Sequence, residues 1–193
     1  MKKCLVCLLV MAMLVAGALA LAEAAEQDVF ELRNGIRFHM TPDEVIAAEG
    51  KTPDFDMTDD ATPWHIIGWF NVDVSKYTAQ FNCGFIDGQM YMAVYAMPDQ
   101  DAGTFDYLQN ALSSVYGSVR VPDMDRLFAL MASTSPEGID PQQLTFQMTG
   151  WEAQEGIKVA LMTIEGDGTY IVYYDGNYDY TALAQDDINT NGL

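Results

Sequence analysis

Few side chains in this 193-residue chain could do acid–base or nucleophilic chemistry. It has two histidines, His39 and His65, which are too few for a histidine-rich metal site. The motifs H-E-x-x-H and G-x-S-x-G do not occur. Cys83 and His65 are the one nucleophile–base pair that can be drawn, and the strand pattern described below assigns them to opposite sheet faces. The sequence therefore predicts a protein that is not an enzyme, with a small secreted hydrolase as an alternative.

Acidic residues near the C-terminus could instead bind calcium. Five side chains match an EF-hand register at its first, third, fifth, seventh and last positions: Asp175, Asn177, Asp179, Thr181 and Asp186. Tyr180 stands where that loop requires glycine, and a solvated acidic loop explains the same residues. We therefore expect no cofactor, and calcium at Asp175, Asn177 and Asp179 remains the alternative.

Net charge narrows the class of partner. The chain has 28 acidic and 9 basic side chains, a formal charge of −19. Nucleic acids and anionic membrane surfaces attract cationic proteins, so neither is expected to bind this chain. Half of the residues are hydrophobic, which is enough to build a packed core.

The N-terminus has the layout of a secretory signal peptide. Lys2 and Lys3 precede an apolar run, and small residues follow it. We assign residues 1–20 to the signal, with cleavage after Ala20, Ala22 or Ala24, and residues 21–28 to a flexible leader. The mature protein is then secreted, free of the membrane and left with the single cysteine Cys83. An uncleaved membrane anchor is the alternative, because the apolar run nearly spans a bilayer.

Hydrophobic periodicity and turn residues predict two kinds of element. Thr41-Pro42-Asp43-Glu44 has the pattern of a helix start with a capping box, and helices are also expected over Thr104–Tyr116 and Pro122–Met131. About six strands are expected from the alternating runs. They cover Trp64–Asp73, Tyr77–Ile86, Gln89–Met97, Leu144–Trp151, Ile157–Ile164 and Thr169–Tyr174.

This layout predicts a single α+β domain over residues 29–177, an antiparallel sheet with helices packed on one face, followed by a polar tail over 178–193. Several short motifs recur about 80 residues apart, among them Gly68-Trp69 and Gly150-Trp151. They indicate a tandem helix-plus-three-strand repeat, over about residues 41–97 and 121–175.

The predicted hairpin at Asp87-Gly88 assigns residues to the two faces of the sheet. Strict alternation gives Phe81, Cys83, Met92 and Val94 to a core face. The opposite, open face then carries six candidate ligand-binding residues: Trp69, Tyr91, Tyr95, Trp151, Gln80 and Asn82. Tyrosine and tryptophan are favoured anchors in protein interfaces, so we expect an extracellular protein or peptide to bind there. A glycan is the alternative ligand, and packing against another segment is the structural alternative.

The segment Phe30–Val45, read as F-E-L-R-N-G-I-R-F-H-M-T-P-D-E-V, resembles the opening of a large group of uncharacterised secreted bacterial proteins. Those openings share the pattern R-N-G-I-x-F-G-M-T-x-E-E-V, and here His39 stands in place of the glycine. The segment is also distantly similar to SmpA/OmlA-type lipoproteins and to β-lactamase-inhibitor-protein-like domains. The resemblance covers residues 30–50 and implies an α+β fold that binds proteins through an open sheet face. It implies no catalytic residues.

Overall fold

The computed structural model describes residues 29–58, 63–98, 103–133, 145–180 and 183. Within them seven strands form one antiparallel sheet, in the order β1-β2-β3-β4-β7-β6-β5. Their bounds are Phe55–Thr58 (β1), His65–Val74 (β2), Tyr77–Ile86 (β3), Gln89–Pro98 (β4), Phe146–Glu152 (β5), Ile157–Ile164 (β6) and Gly168–Asp175 (β7). The α+β class and the antiparallel sheet are confirmed. The additional strand is β1, a four-residue edge strand too short for hydrophobic alternation to identify.

Helices over Pro42–Glu49 (α1), Thr104–Tyr116 (α2) and Met124–Ser133 (α3) pack on this sheet. The capping box predicted for α1 is present: Thr41 Oγ1 accepts from the Glu44 N–H, and Glu44 Oε2 accepts from the Thr41 N–H. Gly50 ends α1 with a φ of 68°, in the left-handed region that glycine enters without strain. The bounds predicted for α2 are confirmed, whereas α3 begins two residues later than predicted.

The β3–β4 hairpin turns at Asp87-Gly88, as predicted. Both residues have positive φ, 50° and 74°, which is the geometry of a type I′ turn. Ile86 pairs with Gln89 across the turn. The first part of the predicted register is therefore confirmed.

Beyond the turn a β-bulge changes the register. Gly84 pairs with Met92 and Cys83 pairs with Ala93, one residue away from the predicted pairing of Cys83 with Met92. Because side chains alternate, one extra residue in β4 exchanges the faces of everything beyond it. Tyr95 therefore shares a face with Cys83, and Met92 lies on the opposite face. The predicted face assignment for β4 was wrong for this reason.

The first long strand is also turned over relative to the prediction. Trp69 pairs directly with Phe81, and Ile67 pairs directly with Cys83, so all four side chains lie on one face. His65 belongs to that same face, because it lies two residues before Ile67. The expectation that Cys83 and His65 lie on opposite faces was therefore wrong. A second bulge, between Trp69 and Val72, shifts the later part of β2.

Helices cover both faces of the sheet, which corrects the expectation that they pack on one. We call the face with Phe81 and Cys83 the front face. It is covered by Val45 of α1 and by one side of α2 (Phe105, Leu108 and Leu112). The back face carries Met92, Val172 and Tyr174, and Leu127 and Leu130 of α3 cover it.

The strand order is compatible with two halves, because β2-β3-β4 meets β7-β6-β5 at the centre of the sheet. Trp69 and Trp151 hold related places on the front face. The two Asp-Gly motifs differ in structure, however, since Asp167 closes a longer turn in which Ile164 pairs with Gly168. The tandem repeat remains a prediction.

Cys83 gives a simple test of the front-face core. Its side chain is fully buried, and this burial raises the pKa of the thiol. We expect a thiol reagent to label a folded chain that begins at residue 21, in which Cys83 is the one cysteine, far more slowly than the same chain in denaturant. Equal labelling rates in the two conditions would contradict the placement of Cys83 in the core.

Candidate functional site

Three of the six predicted ligand-binding residues lie inside the core. Trp69 is fully buried, Trp151 is 2% exposed and Tyr95 is 9% exposed. The Trp69 ring stacks on Phe81, with 6.0 Å between ring centroids, and its Nε1 donates to the Lys51 carbonyl at 3.0 Å. The expected aromatic, open face was therefore wrong. The β4 bulge moves Tyr95 to the front face, the pairing of β2 with β3 places Trp69 there, and Trp151 belongs to the same core cluster.

The other three predicted residues remain accessible but do not lie together. Tyr91 is half-buried beside the β4 bulge, where its ring contacts His39 and Tyr178. Gln80 and Asn82 are half-buried on β3, and their side chains hydrogen-bond to each other at 2.9 Å. The six residues thus form no common surface.

A cavity of about 620 Å³ lies between α2 and the sheet on the front face. We call it the α2 cleft. Its walls come from β2, β4, β7 and α2, and from the segments next to the two ends of α1. They comprise Arg33, Glu49, Lys51, Trp69, Phe70, Asn71, Val72, Asp73, Val74, Ser75, Tyr95, Leu108, Ala111, Leu112, Val115, Ile171 and Tyr173. This volume is in the range of clefts that bind small molecules or peptide side chains.

One ion pair stands in the otherwise mostly apolar wall. Arg33 Nη2 lies 3.1 Å from Glu49 Oε1, and the Glu49 side chain is only 5% exposed. Asn34 Nδ2 also donates to Glu49, at 2.8 Å. The Arg33 Nε is buried and has no hydrogen-bond partner among the described residues. The wall therefore carries one ion pair, whose buried carboxylate accepts from both Arg33 and Asn34.

The rim of the cleft exposes apolar side chains. Val115 is 70% exposed at the end of α2, and Phe70 is 46% exposed on β2. Tyr107 lies nearby on α2, and its hydroxyl is 2.6 Å from the Ser75 hydroxyl. Exposed apolar groups around a concave, partly polar site are typical of protein interaction surfaces.

Tyrosines form the polar part of the cleft floor. Burial raises the pKa of Tyr95 and that of Tyr173 above the usual tyrosine value. Arg33 acts in the opposite direction on Tyr95, because a nearby cation favours the phenolate. Both phenols therefore remain neutral at physiological pH and serve as hydrogen-bonding groups rather than as acids.

Comparison with known proteins assigns no family. No protein-family model matches the chain, and neither a curated protein nor a solved structure matches it. The resemblance noted for residues 30–50 remains a prediction. In the part of the chain that the structure describes, no helix is both long and apolar enough to cross a membrane.

The predicted calcium residues have other partners. Asp175 accepts from the Asn177 N–H at 2.8 Å and lies 3.0 Å from His39 Nε2. Within the described ranges no group of three or more His, Cys, Asp or Glu side chains could hold a metal ion. Thr181 and Asp186 lie outside those ranges, as do the predicted signal peptide and leader, and calcium binding remains a prediction.

Arg33, Glu49 and the rim of the cleft were not among the functional residues predicted from the sequence. Arg33 and Glu49 are distant in sequence, and only the turn at residues 33–35 brings them together. Val115 carried no distinguishing signal in the sequence. It belongs to the apolar stripe of α2, and only its exposure in the structure separates it from the buried residues of that stripe.

Proposed function

We propose that this chain is an exported, non-catalytic binding module that takes an extracellular protein or peptide at the α2 cleft. The observation that carries the proposal is the cleft itself, a concave site with mostly apolar walls, one ion pair and exposed apolar residues at its rim. The class of partner is the one expected from the sequence. The proposed binding site is the α2 cleft and not the predicted open face of the sheet.

The chemistry of the cleft suits binding better than catalysis. Buried apolar walls supply affinity, and a few fixed polar groups orient a ligand. Cys83, the one nucleophilic thiol of the mature chain, is buried beneath the helices in its protonated form. His65 lies on the same face as Cys83, but its Nε2 is 2.7 Å from Asp56 Oδ1 on the neighbouring strand β1. These placements support a module without hydrolase activity.

Glycan binding has less support. Sugar-binding sites present flat aromatic faces to solvent, whereas Trp69 and Trp151 are buried. Loss of a glycan-array signal in a Tyr91→Ala variant would nevertheless favour that alternative. Turnover of an ester, peptide or glycoside panel by the mature chain would favour a hydrolase.

Substitution of Val115 by glutamate tests the proposed site. We expect Val115→Glu to weaken binding of peptides selected from a random display library by about tenfold or more, because a charge would enter the apolar rim. Dissociation constants would be measured by fluorescence anisotropy with the selected peptides. The residue is 70% exposed, so the fold should tolerate the change.

Val121→Glu is the matched control. This valine is 89% exposed and does not line the cleft. It should leave peptide affinity unchanged. Equal weakening by the two substitutions, or no enrichment of any peptide by the wild-type chain, would overturn the α2 cleft as the binding site.

A further inference from the structure

We propose that the partner segment at the α2 cleft is an extended, cationic peptide that adds as a strand to the free edge of β2. This inference rests on the proposed function and specifies its ligand. It assigns main-chain hydrogen bonding to the β2 edge, and it assigns alternate ligand side chains to the cleft.

The outer edge of β2 is only partly paired. On that side β1 pairs with His65 to Gly68, and the last pair is Phe55 with Gly68. The strand continues for six more residues, from Trp69 to Val74. Along the described chain no other strand pairs with this part of the edge. Apart from the Phe70 N–H, which a side chain occupies, its backbone groups are therefore available to a strand from another molecule.

The hydrogen bonds of Asp54 show which backbone groups point outward. The Asp54 N–H donates to the Gly68 carbonyl at 2.8 Å, and Asp54 Oδ2 accepts from the Phe70 N–H at 2.8 Å. A carboxylate thus takes the position that the next residue of a paired strand would occupy. The Phe70 N–H, with Lys51 beside it, lowers the pKa of Asp54. Among the described residues, no such substitute occupies the edge beyond Phe70.

The α2 cleft reaches over this same edge. Seven consecutive residues, Trp69 to Ser75, line it. Successive side chains of a strand point to opposite faces, so a cavity on one face alone would be lined by alternate residues. Contact with all seven favours a cavity that extends around the strand edge at the bulge between Trp69 and Val72. A peptide on the edge therefore lies at the mouth of the cleft.

The negative charge of the chain favours a cationic partner. The chain carries a formal charge of −19. The two cations that line the cleft are already paired, Arg33 with Glu49 and Lys51 with Asp54. Asp73, exposed on the unpaired part of β2, is the lining charge that has no ion-pair partner among the described residues. Two copies of this chain would bring like charges together along the edge, which disfavours self-pairing. A lysine- or arginine-rich segment is attracted instead. The structure therefore favours a cationic partner over a second copy.

Synthetic peptides with capped termini provide the test. In the first peptide lysine and valine alternate. The second has the same composition, with all lysines in one half and all valines in the other, and in the third glutamate and valine alternate. We expect the alternating lysine peptide to bind the mature chain about tenfold or more tightly than either of the others. N-methylation of alternate backbone nitrogens of the alternating lysine peptide should weaken its binding by at least tenfold as well, because it removes main-chain hydrogen-bond donors.

Protein variants locate the binding. Asp73→Lys should weaken binding of the alternating lysine peptide by about tenfold. Glu165→Lys, which changes an exposed acid in the β6–β7 turn, should not.

Equal affinity for the alternating, block and N-methylated peptides would overturn strand addition. If strand addition were overturned in this way but Val115→Glu still weakened binding of library-selected peptides, the α2 cleft would remain the proposed binding site without a peptide strand on β2. A concentration-dependent dimer that Asp73→Lys strengthens would assign the edge to a second copy and also overturn the proposal.

Discussion

Replacement of Trp69 by alanine should destabilise the protein by about 3–5 kcal/mol, the cost typical of removing a large aromatic side chain from a core. Trp69 is fully buried, and its ring stacks on Phe81. The substitution also removes the donor to the Lys51 carbonyl, which then loses its hydrogen bond. Urea unfolding followed by far-UV circular dichroism would measure the change in the free energy of unfolding.

Phe70→Ala is the matched control for this result. Phe70 is the next residue along β2, is also aromatic and is 46% exposed. Its loss should cost about 1 kcal/mol or less, because little buried apolar area is removed. Comparable stabilities for the two variants would contradict the burial of Trp69 and return it to an exposed surface. The two variants thus compare a core position with a rim position at adjacent residues of one strand.

Alkaline pH should unfold this protein through its buried tyrosines. Burial raises the pKa of Tyr174 to about 12. It also raises the pKa values of Tyr95, Tyr173 and Tyr180. In the unfolded chain tyrosine ionises near pH 10. Above that pH, the unfolded state loses protons that the folded state keeps, so stability falls as pH rises.

The magnitude follows from linkage. Each such tyrosine lowers the free energy of unfolding by up to about 1.4 kcal/mol per pH unit, between its unfolded and folded pKa values. Below about pH 10 this contribution to stability is fully present. Tyrosinate absorbance and circular dichroism, recorded together during a pH titration, should show late, cooperative ionisation that coincides with unfolding.

A single variant checks the assignment. Tyr174→Phe removes one of these groups, so the loss of stability with rising pH should become less steep. Independent, gradual ionisation of all tyrosines near pH 10 in a chain that remains folded would contradict this picture.

Local signals in the sequence predicted the elements well. Thr41 and Glu44 form the expected capping box, and the range of α2 is as predicted. Asp87-Gly88 forms the expected turn. These features depend on residues that are neighbours in the chain, so the amino-acid types alone determine them. The same signals established the α+β class.

The faces of the sheet could not be predicted in this way. The run from Met90 to Met97 contains no charged residue, so no side chain marks which face is wet. A bulge in such a run leaves the hydrophobic pattern unchanged while it exchanges the faces. Gly84, an isolated glycine within a strand, was the available sign of irregular pairing. The candidate site could not be predicted for the same reason, because its lining depends on which residues the bulges place under α2.

The central pairing of β4 with β7 has a consequence for the folding rate. These strands are joined by a long connection that includes α2 and α3, whereas β2-β3-β4 and β5-β6-β7 are each joined by short turns. Closing a long loop costs more entropy than zipping neighbouring strands. We expect the two three-stranded meanders to assemble early and their joining to limit the rate, so that substitutions along this seam slow refolding more than those in either outer hairpin.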